Sequence, residues 1–162
     1  MLRLLSAILA TVLVLTGCNQ DTATQTSDNG PAMESPDATS KDFGDYVLHF
    51  NAISTDQLQP EIAQTYNIVR SKNRAMLNVS IIKKVKGTIG QSVTGDIKVT
   101  VNNLTGQVKN LALKEVREND AIYYIGDAQV ANGETLIFNL KVKPEDKTTG
   151  FSVRFSRQFF SD

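Results

Sequence analysis

The sequence predicts an all-β protein, an immunoglobulin-like antiparallel β-sandwich of about seven strands with one short helix. Apolar residues recur at every second position in several segments, which is the period of a strand with one buried face. Gly, Asn and Asp separate these segments at the spacing of tight turns. The chain has one cysteine and no tryptophan, so the prediction concerns architecture and not kinship with antibody domains.

Residues 1–17 are predicted to be a lipoprotein signal peptide. One basic residue, Arg3, precedes an apolar run over residues 4–15, which is shorter than the roughly 20 residues that a membrane span needs. Leu15-Thr16-Gly17 then leads to Cys18, the pattern of a bacterial lipobox. We expect Cys18 to carry a diacylglycerol on its thiol and a fatty acid such as palmitate on its amino group, since durable anchoring takes more than one chain.

The residue after the predicted anchor favours the outer membrane. Asn19 follows Cys18, where proteobacterial lipoproteins retained in the inner membrane often carry Asp. We therefore expect a lipid-anchored protein of the cell envelope that faces the periplasm. Residues 18–41 are predicted to form the lipidated cysteine and a flexible tether, because they contain no aromatic or β-branched apolar residue. The predicted β-sandwich domain is residues 42–162.

Seven sets of residues define the predicted strands, and turn residues separate several of them. The sets are Tyr46, Leu48 and Phe50; Ala75, Leu77, Val79 and Ile81; Val93, Ile97, Val99 and Val101; Val108–Val116; Ala121–Val130; Leu136, Phe138, Leu140 and Val142; and Phe151, Val153, Phe155 and Phe159. Asn110 and Gly126 suggest bulges or bends. Thr105-Gly106 and Asn119-Asp120 predict turns, and Asn132-Gly133 predicts a type I′ hairpin.

One segment, Thr55–Tyr66, has a helical pattern. Pro60 suits the first turn of a helix, where its missing N–H costs nothing. Ile62, Ala63 and Tyr66 lie three and four residues apart and form one apolar face. We expect this short helix to cover one end or one face of the sandwich.

Several short stretches together resemble a known family. They are Phe43-Gly44-Asp45-Tyr46, His49-Phe50-Asn51-Ala52, Tyr66-Asn67-Ile68 and Arg70-Ser71-Lys72-Asn73-Arg74-Ala75, with Leu58, Pro60 and Ala63 between them. The combination is similar to the proteobacterial domain-of-unknown-function family 4426, small exported proteins of the cell envelope. The resemblance implies a β-sandwich in the envelope, and it supplies no catalytic or binding residues.

Catalytic chemistry has few candidate residues. His49 is the only histidine, and strand alternation predicts that it is exposed beside Val47 and Asn51. We therefore predict a protein that is not an enzyme and that has no cofactor. We also predict no metal site, because the sequence lacks the His and Cys ligands that zinc needs and the oxygen-rich motif that calcium needs. A hydrolase built on Asp42, Asp45 and Asp127 stays open. The chain has 17 basic and 17 acidic residues, so it has no excess of positive charge with which to bind nucleic acid.

Two surfaces are candidates for binding. Arg70, Lys72 and Arg74 place three cations around Asn73, and could receive an anionic group; ordinary solvation of a strand end is the alternative. Apolar residues opposite the predicted core sets form the second candidate, with Tyr124 singled out among Met76, Ile82, Ile122, Tyr124 and Ile137. Burial of this second set under the helix or the other sheet is its alternative.

The sequence thus favours an outer-membrane lipoprotein that acts as a non-catalytic binding or accessory module for an unknown periplasmic protein. The alternative function is a loop-based inhibitor or modulator of an envelope protease, and a hydrolase comes third. The sequence carries no signal of oligomeric state.

Overall fold

The structure is a computed structural model that describes residues 30–161. It contains two antiparallel sheets, which confirms the predicted all-β sandwich. The predicted signal peptide and Cys18 lie outside the described residues. Within the part described, no helix combines the length and the apolar character that crossing a bilayer requires.

The two sheets divide ten strands between them. The first sheet contains β1 (Ser40–Asp42), β2 (Tyr46–Ser54), β3 (Arg74–Lys83), β4 (Gln91–Ser92), β7 (Lys114–Glu118) and β8 (Ala121–Gln129), in the order β1-β2-β3-β8-β7 with β4 paired to β3. The second contains β5 (Gly95–Asn103), β6 (Val108–Lys109), β9 (Glu134–Pro144) and β10 (Phe151–Phe159), in the order β10-β9-β5-β6.

The core lies between the sheets and consists mostly of the side chains that alternation predicts, with β8 as the exception. Phe155 of β10 packs against Phe50 of β2, with 4.7 Å between ring centroids, and stacks on Phe138 of β9 at 4.8 Å. All three rings are almost completely buried. Aromatic pairs from both sheets thus join the two layers, since such contacts add to the free energy of apolar burial.

The predicted helix is confirmed. A 3-10 turn (Thr55–Gln57) leads to α1 (Pro60–Thr65), which has Pro at its first position and buries Ala63. The hydroxyl of Tyr66, just after α1, donates to Glu118 of β7 at 3.1 Å. The helical segment therefore lies beside the outer face of the first sheet.

The predicted strand over Val108–Val116 is wrong in one respect, because the chain changes sheet within it. Residues 108–109 pair with β5 in the second sheet, whereas residues 114–118 pair with β8 in the first. Leu111 and Leu113 are half-buried against the core between them. The crossing segment passes over Gly126, where an added Cβ would lie 2.5 Å from the carbonyl oxygen of Ala112.

The turn at Asn132-Gly133 forms, but the predicted type I′ hairpin does not. The amide of Glu134 donates to the carbonyl of Ala131 at 3.1 Å. Only Gly133 has positive φ (73°), whereas a type I′ turn requires positive φ at both central residues. The turn joins β8 of one sheet to β9 of the other, so it need not match the twist of a hairpin.

The domain begins earlier than residue 42, so the predicted tether is too long. Residues 33–42, here called the strap, cross between the edges of the two sheets. Glu34 N donates to the carbonyl of Arg154 in β10 at 2.7 Å, and Phe50 N in β2 donates to Thr39 at 2.9 Å. Most strap residues are polar and exposed. Because backbone hydrogen bonds hold them, the sequence shows no apolar pattern that would predict the strap.

Candidate functional site

The turns gather at two opposite ends of the sandwich. Strands β2 and β8 run in one direction, since both are antiparallel to β3. The tight turn at residues 130–133 reverses the chain between β8 and β9, and β10 is antiparallel to β9, so β10 runs in the direction of β8. The proximal end, where these strands begin, carries the turns at residues 43–45, 84–90 and 145–150. The distal end carries the loops at residues 69–73, 104–107 and 130–133.

The predicted basic run, Arg70 to Arg74, lies at the distal end, but its cations do not share one site. Arg74 forms an ion pair with Asp127 of β8. Arg70 is exposed, and its Nη2 donates to the carbonyl of Asp56 at 2.7 Å. Lys72 is also exposed. Arg70 and Lys72 are therefore exposed at the surface, and Arg74 is held in an ion pair.

Asn73 joins this run to the centre of the distal end through its backbone. Its carbonyl accepts a hydrogen bond from Val130 N at 2.9 Å. A shallow groove of about 580 Å³ lies beside it, lined by Val69, Ser71, Asn73, Arg74, Gln129, Val130, Ala131 and Asn132. The basic run and the loop after β8 thus form one continuous surface.

Large apolar side chains surround the same loop. Val69 is 65% exposed, Leu104 is 72% exposed and Phe160 is 64% exposed. Sequence reasoning missed all three as functional candidates, because an isolated apolar residue in a loop has no periodicity. Exposed apolar side chains gathered at one place are a feature of docking surfaces.

Hydrogen bonds connect the segments that carry these side chains. Ser161 N, next to Phe160, donates to Asn132 Oδ1 at 3.0 Å. Asn103 Nδ2, next to Leu104, donates to Glu134 Oε1 at 2.8 Å. The loop at 130–133 therefore links the C-terminal segment, the β5–β6 turn and the basic run.

Glu134 is a well-shielded acid of the distal end. Its side chain is 11% exposed, and its Oε1 lies 2.7 Å from Lys109 Nζ. Burial acts to raise the pKa of Glu134, but hydrogen bonds from Lys109, Ala131 and Asn103 outweigh it and the net pKa is lowered. The acid therefore stays ionised and paired with Lys109.

The interpretation of Tyr124 as an outward-facing residue is wrong. Tyr124 is only 7% exposed and Ile122 only 8%, and both belong to the core. The Tyr124 hydroxyl accepts from Gly95 N and donates to Glu115, both at 3.0 Å. Of the other residues in the predicted patch, Met76 is buried and Ile82 and Ile137 are half-buried.

His49 is exposed on the outer face of β2, as predicted, opposite Ser80 of β3. It borders a groove of about 830 Å³ that Tyr123 and Asp120 also line. Within residues 30–161, no hydrogen bond joins the His49 ring to a serine or a carboxylate, so a nucleophile–base pair is not assembled there.

The three carboxylates left open for hydrolysis lie apart. Asp42 pairs with Lys84 at 2.5 Å and Asp45 with Lys147 at 3.5 Å, both at the proximal end, whereas Asp127 pairs with Arg74. Each of these acids pairs with its own cation, and Asp127 lies toward the opposite end of the sandwich from Asp42 and Asp45. The described residues also contain no group of three or more His, Cys, Asp or Glu that could hold a metal ion.

Comparisons with known proteins agree with this architecture. A DUF4426 family protein of known crystal structure from Pseudomonas aeruginosa PAO1 is 30% identical, with coverage of 76% of this chain and 94% of that chain and a TM-score of 0.64. FetP from uropathogenic Escherichia coli strain F11, recombinantly expressed in the periplasm of E. coli BL21(DE3), is 12% identical, with coverage of 76% and 93% and a TM-score of 0.52; this likeness concerns the fold alone.

No curated protein matches the chain significantly. The family profile described as "Domain of unknown function (DUF4426)" matches residues 40–162, which include every strand from β1 to β10. The predicted resemblance is therefore confirmed, and the chain belongs to the DUF4426 family.

Proposed function

We propose that the protein is an outer-membrane lipoprotein, anchored through Cys18 and facing the periplasm, that binds a protein partner without catalysing a reaction. The distal end is the proposed contact surface. The observation that carries this proposal is the exposure of Val69, Leu104 and Phe160 around one loop. Sandwich domains use such loop ends for recognition, because a rigid scaffold positions loops that vary freely.

The charge around these side chains indicates what the partner presents. Arg70 and Lys72 are exposed beside Val69, and two acids of the same end, Asp127 and Glu134, are paired with other cations. A partner surface with apolar side chains bordered by carboxylates would complement this arrangement. Apolar contacts would supply most of the affinity, and the cations would favour orientation and association rate.

The anchor has its own test. Wild-type protein should partition with membranes and yield an acylated N-terminal peptide by mass spectrometry, and Cys18→Ser should lose both properties. A wild-type chain with an unmodified Cys18 would contradict the anchoring proposal. It would leave the distal-end proposal open, since binding at that surface does not require acylation.

The binding surface can be tested by photo-crosslinking in cells from probes at Leu104 and Lys72. Lys98, exposed on the outer face of the second sheet, provides the control position. We expect one dominant protein adduct from both distal sites and none from position 98. Equal labelling at all three positions would contradict the proposal.

Two matched variants then test the chemistry. Leu104→Ser with Phe160→Ser should remove the adduct obtained from Lys72, whereas Ile62→Ser, at an exposed apolar residue of α1, should leave it unchanged. Arg70→Ala with Lys72→Ala should weaken capture from Leu104 and reduce its dependence on salt. Arg74 is left intact because it holds Asp127.

A further inference from the structure

The loop at residues 84–90, on the proximal end, combines an ordered backbone with an apolar tip. Ile89 is fully exposed and Val85 is 41% exposed. Thr88 N and Oγ1 both bond to the carbonyl of Val85, at 3.1 and 2.9 Å, and Gly90 N donates to Thr88 Oγ1 at 3.0 Å. These internal bonds satisfy backbone groups that would otherwise need water, which lowers the cost of placing the tip in an apolar medium.

Three lysines lie in or next to this loop, and Asp120 lies across the groove that Ile89 lines. The segment 83–90 contains Lys83, Lys84 and Lys86 and no acidic residue. Lys83 pairs with Asp146 and Lys84 with Asp42, each at 2.5 Å. Lys86 is exposed, and no carboxylate among residues 30–161 lies within ion-pair distance of it. An apolar tip beside an unbalanced cation is complementary to a surface of lipid phosphates over acyl chains.

The position of the strap directs the same end toward the predicted anchor. Met33 pairs in parallel with Arg154 of β10, so the chain reaches Met33 from the side on which β10 begins, which is the proximal end. Met33 lies about fifteen residues after Cys18, a length of chain that spans at most about 50 Å. With the strap bound to the sandwich, an anchored Cys18 would keep the proximal end within this distance of the bilayer.

We propose that the 84–90 loop rests on the membrane, with Ile89 and Val85 in the interfacial region of the bilayer and Lys86 beside lipid phosphates. The inference rests on the proposed anchoring at Cys18. It orients the domain, since the distal end would then point away from the membrane toward soluble partners. Anionic phospholipid is the chemistry that this contact would favour.

The sequence makes a direct experiment possible. Cys18 is the only cysteine and would be acylated, so Ile89→Cys introduces the only thiol available for an environment-sensitive fluorophore. Leu104→Cys, at an exposed apolar residue of the distal end, is the matched control. Full-length acylated protein would be placed in vesicles of phosphatidylethanolamine and phosphatidylglycerol, some containing nitroxide-labelled lipid. Flotation of the vesicles measures anchoring separately.

We expect blue-shifted emission and nitroxide quenching at position 89 and neither at position 104. Adding Lys86→Glu to Ile89→Cys should reduce the quenching while flotation stays complete. A label at position 89 that is as water-exposed as the control, on protein that floats, would overturn the loop contact and leave anchoring intact. Protein that does not float would overturn the anchoring, and the loop inference with it. Protection of position 89 only after a periplasmic extract is added would also overturn it, in favour of a protein contact.

Discussion

Arg157 of β10 holds the carbonyl oxygen of Ala38 in the strap, with 2.6 Å between Nη2 and the oxygen. Its Nη1 donates to the carbonyls of Pro36 and Ser156, and the guanidinium lies 5.3 Å from the centre of the Phe155 ring. Burial lowers the pKa of Arg157, although the charge of Asp37 opposes this. An inward-pointing charge on an edge strand disfavours pairing with other strands, and here the strap accepts hydrogen bonds from the half-buried Arg157.

Replacing Arg157 should loosen the strap and destabilise the domain. Arg157→Leu removes the donors to Pro36 and Ala38, and we expect a loss of about 1–3 kcal/mol in the free energy of unfolding. Urea unfolding measures this loss, and limited proteolysis should show new cleavage within residues 30–42. Arg157→Lys keeps the charge without the planar fork and should retain part of the stability. Unchanged cleavage in both variants would contradict a clamping role.

The Glu134–Lys109 pair should make stability depend on pH. Folding lowers the pKa of Glu134, so its contribution is present above the unfolded value of about 4.3 and is lost as pH falls through the lower folded value. Glu134→Gln should cost about 1–3 kcal/mol at pH 7, because Lys109 loses its partner in a half-buried site. The difference between wild type and variant, measured by urea unfolding, should shrink below about pH 4. A stability difference that does not change with pH would contradict a contribution from the ionised Glu134–Lys109 pair.

We expect the Tyr124 hydroxyl to contribute to the stability of the domain. Tyr124→Phe keeps the ring but leaves Gly95 N and Glu115 without their partner, which should cost about 1–2 kcal/mol. Tyr124→Ala adds a cavity and should cost about 3–5 kcal/mol. Thermal or urea unfolding separates the two. If both variants unfold like wild type, the buried position of Tyr124 is wrong.

Gly126 should not tolerate a side chain. Gly126→Ala would place a methyl group 2.5 Å from the carbonyl oxygen of Ala112 and 2.8 Å from Leu111 Cδ2, so the crossing segment must shift. Overpacking of this kind costs about 1–3 kcal/mol. Gly106→Asn, in a turn with positive φ and open space, should cost less because Asn tolerates that conformation. Equal unfolding midpoints for the two variants would contradict the close packing at Gly126.

Alternation predicted most strands because their two faces differ in polarity. It chose the wrong face in β8, where Ile122 and Tyr124 alternate with Tyr123 and Ile125 and both phases are apolar. Residue polarity alone therefore cannot show which face of β8 is buried. The packing of residues 111–113 over small Gly126 decides which face turns inward.

The strap and the distal end were not predicted from the sequence, for a different reason. Both depend on contacts between residues far apart in the chain, such as Arg157 with Ala38 and Ser161 with Asn132. Backbone carbonyls carry no side-chain signal, and a lone apolar loop residue such as Leu104 shows no period. The basic run at Arg70 was visible in sequence, but the neutralisation of Arg74 by Asp127 was not.

The strap also keeps part of the N-terminal chain bound to the domain. Met33 forms a parallel bridge with Arg154, and Glu34 N donates to the Arg154 carbonyl. Tension applied through the N-terminal chain toward the start of β10 therefore acts along the strand direction and loads these bonds in shear. If Cys18 is anchored as proposed, detachment of residues 33–41 would add nine residues, or about 30 Å, to the span available between membrane and domain. The bonds from Arg157 to the carbonyls of Pro36 and Ala38 would then set both the distance of the domain from the membrane and the force at which that distance changes.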